Sequence, residues 1–136
     1  AIEGHAAALA AERRSDIDLP AIAAAEEAMR AESHSDTPDL PLAVEVNKQF
    51  HFAVYQAAKS PTLVGIIRAL WLKVGPVINL DLRENPERIY TGGAVRFHAE
   101  ILDAIIKRDP EKARAGVAAD IKGASDFILS RGNLPD

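Results

Sequence analysis

The chain has 136 residues, 48% hydrophobic and 26% charged, with a net charge of −4, which suits one domain with a buried core and excludes a disordered tail. With no cysteine, a disulfide framework, a thiolate nucleophile and a zinc finger are excluded, and a cytoplasmic setting is expected. Positive charge is scattered and outweighed by acid, with no basic cluster longer than a doublet such as Arg13-Arg14, too little to hold DNA, and no apolar run approaches the roughly 20 residues of a membrane span or follows a signal-peptide pattern.

Alanine-rich segments with apolar residues spaced by three and four dominate, and alternating β-branched runs are missing, so the pattern predicts an all-α protein. A first helix covers Ile2 to Arg14 with no capping residue before it, the pattern expected of a fragment. Asp18 is placed to cap a second helix, which carries Leu19, Ile22 and Met29 and ends near Ser33. Ser33 to Pro41 is rich in turn residues and reads as a mobile loop. A third helix runs from about Leu42 to Lys59. Ser60-Pro61 opens a fourth, whose stripe of Leu63, Ile66, Ile67, Leu70, Trp71, Val74 and Ile78 predicts deep packing, with a kink at Gly75-Pro76. Asn85-Pro86 marks a further start and Thr91-Gly92-Gly93 a weak point before Ala94 to Lys107. Asp109-Pro110-Glu111 begins the last helix, which reaches about Ser130 and is closed by Gly132. Six helices with short connections and no fixed repeat give an antiparallel bundle of six to seven helices rather than a solenoid.

Titratable residues on otherwise apolar faces carry the functional information, because burying such groups without partners costs several kcal/mol. Asn47 and His51 lie one turn apart on the face of Val44, Val54 and Ala58. His98 shares its stripe with Ala94, Ile101, Leu102 and Ile105, while Asp120 lies among Ala113, Gly116, Val117, Ala124 and Phe127. Two imidazoles, a carboxylate and an amide from three helices can form a site for a divalent transition metal with positions left open. The same residues can equally be hydrogen-bonded core histidines with an aspartate facing an arginine. His5 and His34 fall at a helix end and in a loop, where solvation is expected.

The segments NKQFHFAVYQAAKSPTL, LW and FHAEILDAIIKRDPEKAR, with the upstream LAAERR, Asp18-Leu19 and Met29-Arg30, resemble the ligand-binding FCD domain of GntR-type transcription regulators of the FadR group over nearly the whole chain. The resemblance implies a bundle that holds zinc, nickel or manganese through an aspartate and three histidines, with a small carboxylate effector completing the coordination. Carried over, Asn47 stands where that family has aspartate or asparagine, His51 and His98 match, and Asp120 stands where a third histidine is usual. Exchanging an imidazole for a hard oxygen shifts preference towards zinc, manganese or iron. An acid effector also calls for a cation, and Arg13, Arg68, Lys73 and Arg96 are the candidates, with Trp71 either lining the pocket or serving as core.

The expectation is a non-enzymatic effector-binding and dimerisation domain spanning 1–136, which reaches DNA only through an N-terminal winged helix-turn-helix that these residues do not resemble. It would act as a homodimer. Two other readings stay open: a metal-dependent enzyme, since the same ligands can activate water, and a metal-free helical dimerisation module.

Overall fold

The computed structural model describes residues 1–84 and 93–131, the side chains of 78–83, 127 and 131 aside. Six helices account for the described residues, with no strand among them: α1 (Ile2–Arg13), α2 (Asp18–Ser33), α3 (Leu40–Gln56), α4 (Pro61–Glu84), α5 (Ala94–Ile106) and α6 (Pro110–Arg131). The all-α bundle expected from the spacing is the fold found. The features expected at Asn85-Pro86, Thr91-Gly92 and Gly132, and the side chains of Ile78 and Phe127, lie outside the described residues.

Local chemistry explains the helix starts. Asp39 caps α3 by accepting from the Leu42 amide at 3.1 Å, with Pro41 in the first turn. Asp109 accepts from the Lys112 amide at 3.1 Å ahead of Pro110 and so starts α6. Asp18 corrects the sequence reading: its Oδ2 accepts from the amide and hydroxyl of Ser15, at 2.8 and 3.0 Å, and pairs with Lys59 at 2.6 Å. It thus plays the acidic half of a capping box behind Ser15, where a first-position cap was expected. Burial alone would raise the Asp18 carboxyl, but the Lys59 and Ser15 contacts outweigh it and hold the group below its ordinary value.

Helix α1 occupies the interior. Gly4 and Ala6, Ala7, Ala8, Ala10 and Ala11 are all buried, so α1 meets α6, α3, α5 and α4 through side chains small enough for close approach. Its C-terminal end is tied to its neighbours by guanidinium groups. Arg14, buried, donates from Nε to the Ile105 carbonyl at 3.2 Å and from Nη2 to the Ile106 carbonyl at 2.9 Å, capping α5. Arg108 donates back to the Glu12 carbonyl at 3.3 Å, and Arg13 donates to the Ala58 carbonyl at 3.2 Å beyond the end of α3. Carbonyls at and just beyond helix C-termini are the natural targets of cations.

The other pairings are α2 on α3 and on α5, and α5 on α6. The core joins Ile22, Phe50, Val54, Tyr55, Ile67, Ile101, Ile105 and Val117 to the alanine face of α1. Gly116 sets the α5–α6 spacing: a Cβ there would stand 2.7 Å from Ile101 Cγ1, a branch of a fully buried side chain with little room to turn. The deep packing expected of α4 is not found. It packs mainly on α3 and α1, so Val64 and Ile67 are buried while Ile66, Leu70 and Val74 are nearly half exposed and Leu72 is 77% exposed. The helix also continues through Pro76.

This packing fixes the signs of two glycine substitutions. Gly116→Ala destabilises the domain, since an overpacking cost of about 1–3 kcal/mol exceeds the helix-propensity gain of at most about 1 kcal/mol. Gly123→Ala meets nothing nearer than Phe97 at 3.8 Å and gains stability of up to about 1 kcal/mol; urea unfolding of both variants checks the opposite signs. Asp18→Ala lowers stability by about 0.5–2 kcal/mol at neutral pH. Because the folded carboxyl is depressed, this contribution is present above the unfolded value of 3.8 and shrinks as pH falls below it, which unfolding curves between pH 3 and 7 test.

Candidate metal and ligand site

Three helices bring their polar residues to one point. His51 on α3 and His98 on α5 are buried, and Asp120 on α6 is 11% exposed at its side chain. Asp120 Oδ2 lies 2.9 Å from His51 Nε2 and 3.1 Å from His98 Nε2. The spacing of each helix explains the convergence. His51 follows Phe50 on the buried face of α3, Ile101 lies one turn beyond His98 on α5, and Gly116, which lets Ile101 close on α6, lies one turn before Asp120.

Aromatic rings fix both imidazoles. Phe50 stacks on His98 with centroids 4.1 Å apart and meets His51 edge-on at 5.8 Å, while the two imidazoles stand nearly perpendicular at 5.2 Å. Trp71 covers His51 from α4 at 5.4 Å. Behind His51 runs a chain of hydrogen bonds: Nδ1 lies 3.0 Å from the Tyr55 hydroxyl, which donates to Glu3 Oε1 at 2.9 Å, and Trp71 Nε1 donates to the same oxygen at 2.5 Å.

Electrostatics sort these groups. Burial raises the Asp120 carboxyl, but the close contacts with His51 and His98 overcome it, so the carboxyl sits well below the ordinary range and stays ionised. Burial lowers His98 further than Asp120 raises it, which favours the neutral imidazole that a metal requires. Tyr55 is driven far up by burial and by the Glu3 charge, and remains a phenol. His98 Nδ1 is buried without a hydrogen-bond partner among the described residues.

His51, His98 and Asp120 form a group that could hold a metal ion, their ligand atoms all within 4.8 Å of one another. Two imidazoles and one carboxylate suit a borderline divalent transition metal and leave positions open. Asn47 is half-buried one turn before His51 and makes no side-chain hydrogen bond among the described residues. Of the residues considered for an effector, Trp71 belongs to this cluster. Arg68 reaches its edge, lying 5.0 Å over Phe52, whose ring meets Trp71 at 5.2 Å. Lys73 is exposed on α4. Arg13 is engaged beyond the end of α3, and Arg96 lies outside α5 over Phe97, beside Glu100. His5 and His34 are exposed.

Sequence reasoning missed Glu3 and Tyr55. Tyr55 stands four residues after His51, a spacing that could have flagged it. Glu3 carries no local signal, since its partners are 52 and 68 residues away.

The FCD domain family profile matches residues 1–123. An uncharacterized HTH-type transcriptional regulator of Bacillus subtilis (strain 168), YcbG, is 30% identical over 86 residues, 62% of this chain and 34% of that protein. Among solved structures, E. coli McbR/YncC superposes with a TM-score of 0.78 at 24% identity, over 96% of this chain and 63% of the other, a likeness of fold. The chain spans about a third of the length of the curated relative it matches. No helix of the described residues is long and apolar enough to cross a membrane. The chain therefore belongs to the FCD domain family, a family of transcription-regulator domains rather than enzymes.

Proposed function

We propose that this domain senses a small organic acid at a divalent transition metal held by His51, His98 and Asp120, with Asn47 available as a further oxygen ligand. The observation that carries the reading is the meeting of two imidazole Nε2 atoms on one ionised carboxylate oxygen inside the bundle. A buried carboxylate flanked by two imidazole nitrogens supplies the negative charge and the donor atoms that a bound cation needs. The bound ion would supply positive charge and open positions for an acid's carboxylate, with zinc, manganese or iron favoured by the mixed nitrogen and oxygen donors. Trp71 and Arg68 adjoin the cluster and suit the effector's remaining surface, Arg68 by pairing with a second anionic group. Among the described residues, Lys73, Arg13 and Arg96 make no contact with the cluster and are the weaker candidates.

Occupancy is read by DNA through a separate winged helix-turn-helix domain of the full-length protein, with this domain acting as a homodimer. The unburied apolar residues of α4 (Ile66, Leu70, Leu72 and Val74) support a partner surface there. An effector that favours one dimer arrangement by 1–3 kcal/mol would change operator affinity by about 5- to 150-fold.

Elemental analysis of protein purified without chelator or affinity-tag metal tests the metal reading. The expected result is about one transition ion per chain, lost in His51→Ala, His98→Ala and Asp120→Ala, together with a thermal shift by small carboxylic acids only in the loaded protein. A parent protein that stays metal-free after incubation with zinc and manganese overturns it.

A further inference from the structure

The hydrogen-bond chain behind His51 leaves one consistent place for the Tyr55 proton and puts a proton on His51 Nδ1. A carboxylate has no proton to give, so both groups that meet Glu3 Oε1 must donate: the Trp71 indole, which is a donor only, and the Tyr55 hydroxyl. Tyr55 has a single proton and spends it on Glu3. Its oxygen must then accept from His51 Nδ1 at 3.0 Å. A neutral His51 therefore carries its hydrogen on Nδ1 and turns a bare lone pair, at Nε2, towards Asp120 Oδ2 at 2.9 Å. Two lone pairs at that distance repel unless a cation lies between them.

We propose that Glu3 is the positioning carboxylate of the site: held by Trp71 and acting through Tyr55, it locks His51 in the Nδ1–H form and presents Nε2 as a ready metal donor. This inference rests on the metal reading above and adds to it a residue of α1 that touches no ligand atom. It also gives Trp71 a definite task, the clamping of Glu3, in addition to any contact with an effector. Outer carboxylates that orient ligating histidines typically change metal affinity by about 10- to 100-fold when removed. The relay further makes the metal site a joint property of α1, α3, α4, α5 and α6, since Glu3 and Trp71 come from helices that supply no ligand.

The test uses zinc alone as probe. Zinc affinity is measured by competition with a chromophoric chelator for the parent protein, Tyr55→Phe, Glu3→Ala and His51→Ala. Nitrogen-15 imidazole spectra of the metal-free parent and Tyr55→Phe are recorded at a pH where the rings are neutral. Tyr55→Phe keeps the ring packing against Phe52 and removes only the hydroxyl. The expected result is a loss of about 10- to 100-fold in zinc affinity for Tyr55→Phe and Glu3→Ala. His51 is protonated on Nδ1 in the parent protein, and that preference is lost in Tyr55→Phe while the His98 signals stay in place. A merely structural hydroxyl would lower the melting temperature and leave the His51 tautomer unchanged, which overturns the proposal. If His51→Ala abolishes zinc binding and Tyr55→Phe leaves it intact, the relay is overturned and the metal reading stands. A parent protein that takes up no zinc overturns both.

Discussion

The bundle is organised around one buried negative charge. Asp120 could not stay ionised beside Ala113 and Val117 without two imidazole contacts, and those imidazoles could not reach it unless α3, α5 and α6 met at one depth. The contact therefore constrains the packing as much as the chemistry. Helix α6 has to lie close to α5, which Gly116 permits by leaving room for Ile101. Helix α3 has to present Phe50 and His51 together, so that one ring stacks on His98 while the next residue faces the carboxylate. A buried charge of this kind contributes little net stability compared with an apolar replacement, and its retention is better understood as a cost borne for binding.

Much of this is legible in the sequence. His51, His98 and Asp120 each interrupt an apolar stripe of helical period, and a polar group on a buried face must find a partner, so helical spacing alone conveys that all three turn inward. The helix start at Asp109-Pro110 is legible for a local reason, the pairing of a capping side chain with proline in the first turn, whereas the same pairing of Asp39 with Pro41 lies in the stretch expected as loop. What escapes is nonlocal. Glu3 looks like any acidic residue in a first turn, and only the fold brings it against Tyr55 and Trp71. Asp18 has the composition of a cap and the geometry of the other half of a capping box, a distinction set by Ser15 and Lys59. The spacing overstates the depth of α4 because an apolar stripe reports that a face is to be covered, not by what; within one chain the main partners of α4 are α3 and α1.

Arg68 and Trp71 illustrate the same limit at the site. Periodicity puts both on α4, yet Trp71 meets His51 directly while Arg68 is related to it only through Phe52, a neighbour of His51 in sequence whose ring stands between the guanidinium and the indole. Ring-on-ring contacts of this kind depend on side-chain direction across two helices, which no single-helix pattern encodes.

The two ends of α1 are held in different ways. Near its C-terminal end, Arg13, Arg14 and Arg108 tie it to α3 and α5 through backbone carbonyls that any folded state must satisfy. Near its N-terminal end, Glu3 is held by two side-chain donors whose positions follow His51 and α4. About 15 Å of rigid helix, at 1.5 Å per residue, separates these attachments. A displacement of the Tyr55–Trp71 pair would thus act on α1 as a turning moment about its C-terminal attachments, which favours tilting over sliding. Its alanine surface suits that motion, since methyl groups offer no interlocking ridges to resist a small change of angle.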